Sequence, residues 1–202
     1  MGMFSARLFT WLQRADFYRD LHNEAVEQLP VGDGAAWLDI GCGPGLVARL
    51  VSRRGYQAVG IDSDPHMVRA AEAIARRERS SARFMVGGMR GQPRADVVSA
   101  ASLLAVLGDP GDGLRVLWES VKPGGTLLVV EPTPEMTVRN ANAIIGNGLP
   151  GRGKNLLRLW AFARQGRAVP PGIAASLPAG SMHLVPLLNG LAQAWVIRKL
   201  CI

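Results

Sequence analysis

Three glycines spaced two apart, Gly41, Gly43 and Gly45, follow the apolar run Trp37-Leu38-Asp39-Ile40 with its acid, Asp39. A turn built from residues without a β-carbon can adopt positive φ and bring its backbone close to a ligand that side chains would keep away. A second apolar run, Val59-Gly60-Ile61-Asp62, ends in another acid one helix-length segment later. In a strand-helix-strand unit that acid stands at the carboxyl end of the neighbouring strand, where it can accept hydrogen bonds from two ribose hydroxyls. Such residues could hold a nucleotide-like ligand, although tight strand-to-helix turns also use glycine for structural reasons alone.

The elements that must position these groups are legible around them. Trp37–Ile40 and Val59–Asp62 read as strands flanking a helix over 46–54. Dinucleotide sites of this kind use G-x-G-x-x-G. Here the spacing is G-x-G-x-G, with Leu46 at the place of the last dinucleotide glycine, so that fingerprint is not met.

The stretch resembles the first motif of class I S-adenosylmethionine-dependent methyltransferases of the small-molecule and lipid-directed kind. Asp96-Val97-Val98-Ser99-Ala100 is similar to that family's fourth strand. Val121-Lys122-Pro123-Gly124-Gly125 resembles its "LKPGG" turn, leading into a fifth strand through Glu131-Pro132. The likeness covers residues 35–132. It implies an α/β fold, a three-layer Rossmann-like sandwich whose mostly parallel seven-stranded sheet ends in an antiparallel hairpin. Asn189-Gly190 between His183–Leu188 and Leu191–Ile197 supplies an independent hairpin signal. One domain over 1–202 is expected: cap helices in 1–30, a cofactor core in 35–132, an acceptor-side helical insertion in 133–180 and the hairpin in 181–199.

The resemblance implies S-adenosylmethionine as cofactor and S-adenosylhomocysteine as product. It carries cofactor binding over to Asp39, Gly41, Cys42, Gly43, Gly45, Asp62, Ser63, Met67, Gly88, Met89 and Ala100. Met67 occupies the place of the family's "D-x-S-x-x-M" methionine, packing on adenine or filling the core. Gly88 departs from the family pattern, since relatives commonly place there an aspartate that accepts from the adenine amino group. Losing that bond costs about 1 kcal/mol or more, and weakened cofactor binding is expected.

Methyl transfer of this class is an in-line displacement in which alignment and exclusion of water do most of the work. Tyr18, His22, Glu131 and His183 are the candidates for a general base, and each also has an ordinary structural role open to it. No metal is expected, because Ala100-Ala101 and Glu131-Pro132-Thr133 do not supply clustered oxygen ligands at the ends of the fourth and fifth strands.

The chain has 202 residues, 48% of them hydrophobic, enough for a full core without covalent staples. Two distant cysteines, Cys42 and Cys201, suggest a reducing cytoplasm, and no apolar run approaches the roughly 18 residues of a membrane span. From Phe4 to Tyr18, apolar residues at three- and four-residue steps predict one amphipathic helix, which packs on the sheet edge or, as the resemblance implies, closes over the cofactor and brings Tyr18 toward the acceptor. After Glu135 there is no acidic residue, while Arg139, Arg152, Lys154, Arg158, Arg164, Arg167, Arg198 and Lys199 follow. Against a total charge of +7, residues 1–135 are close to neutral. Residues 154–165 read as a basic amphipathic helix with Leu156, Leu159, Trp160 and Ala163 on its apolar side. That pattern suits an anionic or lipid-like small acceptor and a peripheral contact with an anionic membrane surface. Nucleic acid is a less suitable partner, because Ser99-Ala100-Ala101-Ser102 lacks the Asn/Asp-Pro-Pro-aromatic tetrad of amino-directed nucleic-acid enzymes. A second reading, from Gly88 and the lack of an evident base, is a non-catalytic scaffold that binds through its basic carboxyl-terminal third.

Overall fold

Alternation along the strands sorts the apolar residues into two cores, one on each side of a sheet. The computed structural model describes residues 9–149 and 153–201. Among them, β1 (Ala36–Ile40), β2 (Gln57–Asp62), β3 (Arg83–Val86), β4 (Ala95–Ala101), β5 (Val121–Pro132), β6 (Ala179–Leu187) and β7 (Ala192–Lys199) form one sheet in the order β3-β2-β1-β4-β5-β7-β6. The first five strands pair in parallel, and β7 runs antiparallel to both β5 and β6. Trp37, Val97, Leu128, Val130 and Ala194 face one core, while their neighbours Leu38, Val98, Leu127, Val129 and Trp195 face the other. Burial on both faces is what strands sandwiched between helices require. The fold is the expected three-layer Rossmann-like sandwich.

The helices are α1 (Asp16–Glu27), α2 (Leu46–Arg53), α3 (Pro65–Glu78), α4 (Pro110–Glu119), α5 (Val138–Gly146) and α6 (Lys154–Arg164). Residues of α1, α2, α5 and α6 pack into the first core, and those of α4 into the second. Local sequence sets several starts. Asp64 caps α3 by accepting from the His66 N–H at 2.8 Å, with Pro65 at the first helical position. Asp109 with Pro110 does the same for α4, and Thr137 for α5.

Three local expectations differ from what forms. The amphipathic run from Phe4 to Tyr18 is not one helix: Phe4 and Leu8 lie outside the described residues, residues 9–12 are helical, and Ala15 is extended (φ −70°, ψ 135°). Tyr18 therefore belongs to α1, which starts afresh at Asp16. The Pro123-Gly124-Gly125 turn lies within β5, because α4 already ends at Glu119. The register of β4 against β5 shifts there, between Ala95 and Val97. The hairpin turn is wider than Asn189-Gly190 alone, since Leu188 also takes positive φ (47°) and leaves the ladder.

Candidate active site

The strand order reverses between β1 and β4, so the loops leaving their carboxyl ends diverge and open a crevice. A cavity of about 1050 Å³ occupies that crevice. Its floor is the glycine turn after β1, one wall comes from residues following β2, β3 and β4, and the other from α1 and the end of α6.

The glycine turn is held from several sides. Gly41, Gly43 and Gly45 all have positive φ (70°, 52° and 79°). A Cβ on Gly45 would lie 2.4 Å from the Phe84 ring, so this glycine admits a side chain of the protein itself. Gly43 differs, with nothing nearer than 3.9 Å to a built Cβ, and faces the cavity. Asp62 Oδ2 accepts from the Gly43 N–H at 2.9 Å and Oδ1 from the Asp64 N–H at 2.9 Å. From below, Arg49 Nη1 donates to the Pro44 carbonyl at 2.5 Å while its Nε pairs with Glu78 at 3.1 Å. The Asp62 carboxylate thus fixes the glycine turn while lining the cavity.

Behind the turn runs a buried relay. Trp37 Nε1 donates to Ser99 Oγ at 2.8 Å, and the Ser99 hydroxyl donates to Asp39 Oδ1 at 2.7 Å. Asp39 is 2% exposed and lines the cavity; the Ala48 N–H in the first turn of α2 acts on its carboxyl, yet Oδ2 completes no hydrogen bond of ordinary geometry. Burial pushes its carboxyl up to about 7. Gln13, also lining the cavity, likewise leaves a buried Oε1 unpaired. Asp64 Oδ2 is unpaired too, and three unsatisfied acceptors in this part of the lining favour a ligand group that donates and carries positive charge.

The α1–α6 wall is aromatic and basic. Tyr18 packs edge-on against Trp160 at 5.3 Å and lies 4.4 Å from the His22 ring, centroid to centroid. Burial pushes the Tyr18 hydroxyl up to about 12, so at neutral pH it stays protonated and can donate to a base or anion. His22 Nδ1 lies 2.7 Å from the Tyr18 carbonyl, an acceptor, which assigns the proton to Nδ1 and the lone pair to Nε2. Burial lowers its pKa to about 4, and the ring is neutral. Arg164, in the last turn of α6, is 8% exposed, and its Nε is buried without a partner.

The cavity brings together Asp39, Gly41, Cys42, Gly43, Asp62, Ser63, Met67, Gly88 and Met89 with Tyr18 and His22. It leaves out four others. Gly45 lies beneath, against Phe84. Ala100 is fully buried in the second core, since alternation along β4 turns Ala101 to the cavity instead, followed by Ser102 at φ 53°. Glu131 is fully buried and accepts from the Leu104 and Ala105 N–H groups at 2.7 and 3.2 Å, tying down the turn after β4. Burial pushes its carboxyl up to about 7. His183 is exposed on β6, the edge strand, away from the cavity. The Cys42 thiol is raised well above its ordinary range by burial and is no nucleophile at neutral pH.

Sequence reasoning missed Gln13, Ser102, Arg164 and Arg167 as cavity residues. The expected apolar side of α6 was also misplaced. Its buried seam is Leu157, Trp160, Ala161 and Arg164, while Leu159 is exposed and Phe162 strongly so, at 73%. The spacing 157-160-161-164 is a helical stripe that ends in a charge, which a search for apolar residues alone does not complete. Among the described residues, no three His, Cys, Asp or Glu side chains converge as a metal site.

A family model described as "Methyltransferase domain" matches residues 10–171. The ubiquinone biosynthesis O-methyltransferase of Pseudomonas aeruginosa (strain LESB58) is 28% identical over 143 residues, 64% of this chain and 60% of the relative. The trans-aconitate 2-methyltransferase of Azoarcus sp. (strain BH72) is 30% identical over 127 residues, 60% of this chain and 49% of the relative. The chain thus spans about half to three-fifths of these relatives' length. Among solved structures, a putative S-adenosyl-L-methionine-dependent methyltransferase of Methanococcus maripaludis has the same fold, with TM-score 0.68, 13% identity and coverage of 98% of this chain and 94% of that one. The plantazolicin methyltransferase BpumL, solved with S-adenosylhomocysteine, superposes with TM-score 0.63 at 16% identity, covering 96% of this chain and 89% of that one.

Proposed function

The chain belongs to the methyltransferase-domain family, and from that premise we propose that it transfers the methyl group of S-adenosylmethionine to an oxygen of a small acceptor lodged against α1 and α6. When bound, that cofactor supplies an electrophilic methyl on a sulfonium sulfur. The carrying observation is Asp39, a buried carboxylate with one unpaired oxygen beside a glycine turn at the strand-order switch. With the unpaired Gln13 Oε1 it suits the cationic amino group of a methionine moiety. Asp62 suits the ribose. Met67 and Met89 offer apolar surface to adenine, and Gly88 offers open space where the family's usual acid would stand. The Gly88 carbonyl is already taken by Gln92 Nε2 at 2.6 Å, which supports a weakened adenine contact.

His22 is the base in this reading, its Nε2 taking the proton the acceptor hydroxyl loses. Tyr18 orients that hydroxyl by donation, and the Trp160 and Phe17 rings behind it keep water out. Relatives named as O-methyltransferases support an oxygen acceptor. Calorimetric titration with S-adenosylmethionine and S-adenosylhomocysteine tests the reading. Saturable heat with both is expected, and no heat and no thermal shift with either would overturn it.

A second reading adds a membrane surface, supported by exposed Leu159 and Phe162 beside Lys154 and Arg158 on α6. Co-sedimentation with anionic vesicles should then weaken with salt and with Arg158→Glu. Binding insensitive to both would remove it.

A further inference from the structure

We propose that the α1–α6 end of the cavity is a carboxylate-recognition site, with Arg164 as the residue that binds the anion. The use of that anion, as part of a methyl acceptor, rests on the function proposed above. Arg164 lines the cavity from the last turn of α6, and its side chain is withdrawn from solvent. No acidic side chain pairs with it among the described residues, and its Nε has no hydrogen-bond partner. The acid that influences it electrostatically, Glu131, spends both oxygens on the N–H groups of Leu104 and Ala105 and does not reach the cavity.

Burying a guanidinium whose Nε is left unpaired is costly, and an anionic ligand reaching that nitrogen would offset the cost. Its planar fork matches a carboxylate through two parallel hydrogen bonds. The neighbouring groups agree with a single negative charge. Tyr18 can donate, His22 is neutral, and among the described residues the only other cation lining this end is the exposed Arg167. A phosphate dianion would call for a denser set of buried donors than one arginine and one hydroxyl. Tyr18 and His22 line the same cavity as Arg164, so a fitting ligand is a small carboxylic acid with a flat or aromatic body.

Benzoate is the probe, titrated by calorimetry and ligand-observed NMR at millimolar concentration, with benzamide and phenyl phosphate alongside. Each titration is run on the protein alone and on protein saturated with S-adenosylhomocysteine. Benzoate should bind at least tenfold more tightly than benzamide. Arg164→Gln should lose that difference while S-adenosylhomocysteine affinity stays unchanged. Arg164→Lys, which keeps the charge and the fold but loses the fork, should bind benzoate several-fold more weakly at an unchanged thermal midpoint. Equal binding of benzoate and benzamide, or wild-type benzoate affinity in Arg164→Lys, would overturn the proposal. Arg164-dependent binding of phenyl phosphate tighter than that of benzoate would overturn the carboxylate assignment. Loss of S-adenosylhomocysteine binding in the wild-type chain, with benzoate still held through Arg164, would count against the function and leave the anion site standing.

Discussion

The two ends of the central cavity are built with opposite polarity. Around the glycine turn stand Asp39, Asp62 and Asp64, with Gln13 beside them, and three of these side chains leave buried acceptors, Asp39 Oδ2, Asp64 Oδ2 and Gln13 Oε1, unmatched. At the α1–α6 end stand Arg164 and Arg167 with a protonated tyrosine and a neutral histidine, and the unmatched buried atom is a donor, Arg164 Nε. One end lacks a cation and the other an anion. Under the proposed function, that opposition would orient a charged cofactor and a charged acceptor toward each other without any covalent participation by the protein, in keeping with catalysis by positioning.

The comparison can be broken most severely at Asp62. Replacing it by alanine removes the proposed ribose acceptor and frees the Gly43 N–H it holds. Charge-assisted hydrogen bonds of this kind contribute about 1.5–3 kcal/mol each, so S-adenosylhomocysteine affinity should fall at least about 100-fold by calorimetry. Unchanged affinity would mean the ribose lies elsewhere. At the other end, His22→Gln should lower kcat about 100-fold while cofactor affinity holds, measured by S-adenosylhomocysteine release once an acceptor is in hand. Because His22 titrates at about 4, the wild-type rate should show no acid limb near 6.5.

Asp39 gives the smallest and most diagnostic effect. Its pKa of about 7 lies above the ordinary 3.8, so the folded protein holds a proton there that the unfolded chain releases. Stability from this source is present below about 4 and is lost as pH rises through 7. Glu131 acts in the same direction, while His22, lowered to about 4, destabilises the fold as pH falls below 6.5. A bound cation should draw the proton off Asp39, so cofactor affinity should rise between pH 6 and 8. Asp39→Asn should flatten that rise and cost roughly tenfold in affinity at pH 8 only. A pH-independent wild-type affinity would argue against a cation at this end.

The same two ends differ in how far the sequence reveals them. The glycine-turn end is encoded locally: Asp39 to Gly45 and Asp62 to Met67 are short runs whose turn chemistry and strand ends fix their own geometry. Even there, the resemblance points to Ala100 where alternation along β4 presents Ala101 to the cavity, and Gly45 accommodates Phe84. The α1–α6 end is assembled from segments far apart in sequence. Tyr18 and His22 carry no motif, and Arg164 belongs to a buried stripe that begins with Leu157 and Trp160 and reads as ordinary core until its last member. Glu131 looked exposed to chemistry at the end of β5, but the turn at Leu104 and Ala105 consumes it.

A crystal structure with S-adenosylhomocysteine tests the opposition of the two ends most directly. The account predicts the ribose hydroxyls on Asp62, the amino group within hydrogen-bond distance of Asp39 Oδ2, and the sulfur turned toward His22 and Arg164. A ligand bound with its carboxylate on Arg164 and no donor on Asp39 would contradict it.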